Sequence, residues 1–240
     1  MRPVQLNLLE LPAAAEMAAP EGFAYRPGLI SPREETALIV QFAELPFREF
    51  EFHGFFGKRR TVSYGLRYDF GDNEMHEAED IPDFLLPLRD SAAAFAGISP
   101  ARIAHALVTE YAPGAAIGWH RDRPAYDEII GVSFASPCRF RFRRRLHSSP
   151  SPSMGEGRGG GECAASRPRS QSNPAPSPPP HPRPSRRRAL RGTGWERRSV
   201  LLDPRSAYIL RGAARHDWEH SIPPAEMLRY SATFRTLRTA

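Results

Sequence analysis

Residues 146–194 hold 10 prolines, 7 glycines and 9 serines in 49 positions, and not one aromatic, valine or isoleucine. Such a stretch buries too little apolar surface to offset the entropy of ordering it, and is expected to be disordered. Its flanks read in the opposite way. Cys138-Arg-Phe-Arg-Phe-Arg143 alternates apolar and charged residues with period two, and Glu196-Arg-Arg-Ser-Val-Leu-Leu-Asp203 resumes a strand-like pattern. The segment therefore reads as an insert at a strand connection, where the cost of a long loop rises only slowly with length. A linker between two domains is the weaker alternative, because neither flank stands alone as a domain.

The insert also decides how the charge is read. Its eight arginines against Glu156 and Glu162 account for the whole net charge of +6, leaving 25 basic and 25 acidic residues elsewhere. Any basic surface on the folded part is then a local patch. With 240 residues, 40% of them hydrophobic, the chain can bury a sizeable core. We read 1–22 as an N-terminal extension and 23–240 as one domain interrupted at 146–194. No apolar run approaches the ~18 residues of a membrane span. The alanine-rich start is broken by Glu10 and Glu16, with only Arg2 as a positive n-region, so a signal peptide is not expected and the cytoplasm is the default. Cys138 and Cys163 are too few for a disulfide scaffold or a cysteine zinc site, in keeping with a reducing compartment.

Ser31-Pro-Arg-Glu34 is a capping box with proline at the first helical position, opening a helix that carries Ala37, Leu38, Val40, Phe42 and Leu45. A second helix is expected over 84–96. Strands are expected over 61–66, 103–111, 128–134, 138–143, 199–202, 207–210 and 228–237, with turns at Pro113-Gly114 and Asp203-Pro204. Helices followed by short strands predict an α+β protein whose β part is a sandwich or jelly roll.

Three features of the β region carry chemistry. His120 and Asp122 lie two apart, on one side of an extended chain. His220 follows far downstream, in Trp218-Glu-His220. Then Arg229, Ser231, Thr233 and Arg235 share one face of a strand, with Leu228, Tyr230, Ala232 and Phe234 on the other. Each alone is cheap, because a histidine beside an acid or arginines on a strand are usually solvated. In this order, two histidines and a carboxylate match the facial triad of a non-haem Fe(II) site, leaving three positions open. An oxygenase using 2-oxoglutarate fills two of them with the cosubstrate and keeps one for O2. The cosubstrate's distal carboxylate then needs a fork-shaped permanent cation, which arginine offers and lysine does not.

At these residues the chain resembles the AlkB-like 2-oxoglutarate/Fe(II) dioxygenases. The resemblance is carried by Glu110-Tyr-Ala-Pro-Gly114, Trp119-His-Arg-Asp122, Trp218-Glu-His220 and Arg229-x5-Arg235, and it spans most of residues 23–238 outside the insert. It implies that His120, Asp122 and His220 bind iron, that Arg229 binds 2-oxoglutarate, that Tyr111 hydrogen-bonds it, and that Arg235 supports the site. Many members have asparagine where this chain has Thr109 and Ser231, which keep a hydroxyl at the cosubstrate site. The 98 residues from Asp122 to His220 shrink to an ordinary 49 once the insert is removed. The family fold is a double-stranded β-helix with N-terminal helices. Its implied reaction is oxidative dealkylation of N-alkylated bases in nucleic acid, as in alkylation repair, with Fe(II), 2-oxoglutarate and O2. A monomer without membrane contact is expected.

The stretch from Phe52 to Gly65 combines aromatics, glycines and the triplet Lys58, Arg59 and Arg60. It reads either as a substrate lid, in which these cations meet phosphates and an aromatic such as Tyr64 stacks on a flipped base, or as a hairpin with a solvated turn. His216 and His220 lie four apart, but Asp217 stands where a His-Glu-x-x-His zinc helix needs glutamate. On a strand His216 would share a face with His220. His53, His76, His105, His147 and His181 read as structural or solvated, and Cys138 as core. Trp119 and Trp218 read as packing under the metal site. The rival functions are a dioxygenase acting on protein or a small molecule, and a non-catalytic nucleic-acid-binding protein.

Overall fold

The computed structural model describes residues 19–52, 55–68, 75–146 and 194–238. His53, His147, His181, Cys163 and most of the proposed insert and N-terminal extension lie outside them.

Helix α1 (Pro32–Ala43) starts where its capping box requires: the Ser31 hydroxyl accepts from the Glu34 N–H at 3.3 Å, and the Glu34 carboxylate accepts from the Ser31 N–H at 2.7 Å. A single 3-10 turn over Asp83–Leu85 leads into α2 (Leu86–Ala96). The strands are β1 (Phe23–Arg26), β2 (Arg48–Phe52), β3 (Phe55–Tyr64), β4 (Leu66–Tyr68), β5 (Met75–Glu77), β6 (Ile103–Tyr111), β7 (Ile117–His120), β8 (Tyr126–Phe134), β9 (Cys138–Arg145), β10 (Trp195–Leu202), β11 (Ala207–Leu210), β12 (Glu219–Ile222) and β13 (Arg229–Leu237), with a short helix α3 (Gly212–His216) before β12. The strand expected over 61–66 instead ends at Tyr64. Gly65 follows with φ +77°, and a Cβ there would lie 2.4 Å from the Ala104 carbonyl oxygen, so only glycine lets the chain turn against β6.

A seven-stranded sheet in the order β1-β11-β8-β13-β6-β3-β2 faces a four-stranded sheet in the order β10-β9-β12-β7. This is a jelly roll, with helices on the outside of the larger sheet. Strands from before and after residues 147–193 alternate in both sheets, since β13 lies between β6 and β8 and β10 lies beside β9. The Leu146 N–H donates to the Gly194 carbonyl at 2.9 Å, so the two ends of the segment meet.

Two apolar clusters hold the layers. Phe42, Leu88, Ala92 and Ala93 from the helices pack on Val108, Ile130, Val132, Phe134, Ala232 and Phe234 of the large sheet. Between the sheets lie Tyr111, Ile129, Phe140, Phe142, Leu202, Leu210, Trp218 and Ile222. The alternation read from β13 is what places its even positions, Tyr230, Ala232 and Phe234, under the helices and its odd positions between the sheets.

Glu35 fastens α1 to this frame. Its buried carboxylate accepts from the Ala135 N–H at 2.9 Å and from Arg205 at 2.8 Å, two non-glycine residues whose φ angles of 69° and 65° put them in the left-handed region.

Candidate metal and cosubstrate centre

Strands β7 and β12 pair so that His120 and His220 face each other in register, although 100 positions separate them. Their rings lie 4.3 Å apart, and the chain leaving β7 brings Asp122 back to them, with Oδ2 3.5 Å from Nε2 of His220. The candidate ligand atoms of His120, Asp122 and His220 lie within 4.8 Å of one another. Nδ1 of His120 sits 2.9 Å from the Gly118 carbonyl, which can only accept; the proton is therefore on Nδ1 and Nε2 is left for a metal.

Electrostatics favour the ligating forms. Burial, then the neighbouring His120, lowers the His220 pKa to about 3, and burial lowers that of His120, so both imidazoles are neutral near pH 7. Burial alone would raise Asp122, but the Arg235 guanidinium outweighs it and holds the carboxyl below the usual range. Arg235 donates to Asp122 Oδ1 through Nε at 3.0 Å and Nη2 at 2.8 Å.

Beside this triad lies a buried cation. Arg229, on the first position of β13, is 1% exposed, and its Nη1 has no partner. Nε donates to Ser133 Oγ at 3.3 Å, and the guanidinium lies 4.7 Å from the centre of the Tyr111 ring. Cys138 and Tyr208 also adjoin it, and no carboxylate pairs with it among the described residues. An unpaired buried guanidinium is costly, so this pocket suits an anionic group. Thr109 and Ser231 face each other across β6 and β13, both buried and both lining the same cavity. Tyr208 closes the site because its partner across β11 and β8 is Gly131, where a Cβ would meet the Tyr208 ring at 2.3 Å.

The cavity holds about 1320 Å³, and Arg48, Arg59, Arg121, Arg123 and Arg238 are among the residues that line it. The substrate residues named from sequence separate here. Strand alternation points Arg59 into the cavity with Thr61 and Ser63. Arg60 faces the other way and pairs with Glu110 at 2.8 Å, and Lys58 is exposed outside the cavity. Tyr64, 5% exposed, is packed in the helix-side core, so the expected base-stacking role does not fit its position. His216 lies exposed at the end of α3 and not on a strand with His220, which also removes the zinc-helix alternative. Trp218 packs in the core as expected, whereas Trp119 stands on the outer side of β7 against Arg143.

His105, expected from sequence to be structural or solvated, lines the cavity. It stacks on Tyr126 at 5.2 Å, and its Nδ1 accepts from Arg235 at 3.2 Å. Parity would have found it, since His105 is six positions before Tyr111 on the same strand face. Tyr208 and Arg215 had no local signal, because one depends on a glycine in another strand and the other holds the Arg123 and Tyr126 carbonyls from α3.

A sequence model of the 2OG-Fe(II) oxygenase superfamily matches residues 22–238. Among solved structures, that of OsALKBH1 is similar at a TM-score of 0.58 and 11% identity, covering 91% of this chain and 98% of that one. A prolyl-4-hydroxylase from Pseudomonas putida is similar at a TM-score of 0.47 and 10% identity, covering 91% and 94%. No curated protein matches the sequence.

Proposed function

The chain belongs to the 2OG-Fe(II) oxygenase superfamily, a family that works with Fe(II), 2-oxoglutarate and O2, and on that premise we propose that it removes alkyl groups from the bases of nucleic acid by oxidation. In this reading His120, Asp122 and His220 hold the iron, and Arg235 keeps Asp122 ionised and oriented. Arg229 takes the distal carboxylate of 2-oxoglutarate, which supplies the partner its Nη1 lacks. Tyr111, Thr109 and Ser231 line that pocket, and Tyr208 and Phe140 exclude water from it. Bound iron and cosubstrate supply the oxidation of a C–H bond, after which a hydroxylated N-methyl group leaves as formaldehyde.

The observation that carries the substrate class is the charge of the cavity lining, where outside the metal and cosubstrate centre Arg48, Arg59, Arg121, Arg123, Arg215 and Arg238 outnumber Glu49, Glu77 and Glu79. Guanidinium groups around a cavity of this size suit a phosphodiester strand from which one base is turned inward. Among the described residues no helix is long and apolar enough to cross a membrane.

The test is formaldehyde and succinate release from N-methylated single-stranded oligonucleotides. Coupled release of both is expected. Succinate without formaldehyde from any methylated base would move the substrate to a protein or small molecule, and no Fe(II)-dependent succinate at all would leave a non-catalytic binding protein.

A further inference from the structure

The four-stranded sheet has an inner face against the metal centre and an outer face whose composition the chemistry above does not use. On β9, Cys138, Phe140 and Phe142 point inward, so Arg139, Arg141 and Arg143 point outward. Trp119 on β7 and Trp195 on β10 flank them. The Arg143 guanidinium lies 4.6 Å from the Trp119 ring centre and 4.3 Å from that of Trp195, and Arg141 lies 5.1 Å from Trp119. Glu219 pairs with Arg143. Arg139 donates to the Ser199 hydroxyl at 3.2 Å and Arg141 to the Ser221 hydroxyl at 3.0 Å. On β10, Arg197 is exposed and shares a face with Trp195 and Ser199. Hydroxyl partners orient a guanidinium without neutralising it, and among the described residues no acid pairs with Arg139, Arg141 or Arg197.

We propose that this outer face is a docking surface for single-stranded nucleic acid and guides the strand whose target base enters the cavity. The inference rests on the nucleic-acid reading above. Charge complementarity names a polyanion, and two indoles interleaved with oriented guanidinium planes name one that brings flat π-faces, as unpaired bases do and an acidic peptide does not. The surface is continuous with the site, because Trp119 also lines the cavity and precedes His120. The Arg143 guanidinium is 4.6 Å from one ring centre and 4.3 Å from the other, so the two indoles stand no more than about 9 Å apart, room for about two bases of a single strand.

The full chain is titrated with fluorescein-labelled oligothymidylate, comparing wild type with the double variant Arg139→Glu/Arg197→Glu. Both residues are exposed and outside the metal and cosubstrate centre. The double variant is expected to bind about tenfold more weakly or worse, with a salt slope shallower by about 1.4, for two lost phosphate contacts on a single strand. Its 2-oxoglutarate consumption without nucleic acid and its turnover of a methylated nucleoside should stay at wild-type levels. Trp195→Ala should weaken binding with little change in salt slope. Unchanged binding by the double variant, while wild type binds and demethylates oligonucleotides, overturns this surface and leaves the nucleic-acid reading standing. Polyglutamate that competes as well as oligothymidylate of equal charge also overturns it. Wild-type protein that binds no oligonucleotide overturns both.

Discussion

At the scale of single residues, a buried cation without a counter-ion makes the sharpest expectation. Arg229→Ala removes the guanidinium that lies over the Tyr111 ring and leaves a cosubstrate carboxylate to be buried unpaired, a loss of about 3 to 5 kcal/mol. The Michaelis constant for 2-oxoglutarate should rise by about two orders of magnitude or more, while Fe(II) affinity measured by equilibrium dialysis stays near wild type. An unchanged constant would assign the carboxylate to another cation such as Arg59. His120→Ala, Asp122→Ala and His220→Ala should each abolish Fe(II)-dependent succinate formation, and full activity in any of them would remove that residue from the ligand set. The same residues set a pH dependence. His220, with its pKa lowered to about 3, and His120, lowered by burial, stay neutral in the fold where unfolded histidines near 6.5 take up protons. The unfolded chain therefore binds more protons as pH falls, and stability present above about pH 6.5 is lost below it. Asp122, held low chiefly by Arg235 against its burial, adds loss in the same direction at more acidic pH. The melting temperature of metal-free protein should accordingly fall between pH 7.5 and 5, and Fe(II) should raise it more at the upper end. A flat profile over that range would show that these imidazoles are not buried in the neutral form.

At the scale of elements, alternation along β3 separates neighbours with similar side chains. Arg59→Ala acts inside the cavity and should lower turnover of methylated oligonucleotides. Arg60→Ala breaks the pair with Glu110 on the opposite face and should cost stability with little effect on turnover at saturation. The reverse result would mean that β3 is shifted by one residue. Helix α1 offers a second test. Glu35→Ala leaves the Ala135 N–H and Arg205 without their acceptor, at a cost of about 1 to 3 kcal/mol, because both turns are held in left-handed conformations. Urea denaturation should show that loss, with cosubstrate turnover retained below the midpoint.

At the scale of the whole molecule, the ends of residues 146–194 meet through the Leu146 and Gly194 backbone, and β9 and β10 are neighbours in one sheet. Replacing 147–193 with a short glycine-containing turn should therefore leave folding and 2-oxoglutarate turnover intact, as read by circular dichroism and succinate formation. Loss of either would show that the segment packs into the fold. Short-range pattern was legible in the chain. The capping box fixed the start of α1, period two fixed β9 and the two faces of β13, and the His120, Asp122, His220 and Arg229 order pointed to one chemistry because each residue type has few alternatives there. Strands β7 and β12, four residues each, carry no such pattern, since their short runs gain strand form only by pairing with each other and with β9. Strand pairing set which face of β3 looks into the cavity, brought His105 into the site, made room for Tyr208 at Gly131, and lined up the arginines of β9 with two tryptophans. Each of these depends on contacts between strands distant in sequence, and pairing register is a property of the partners together.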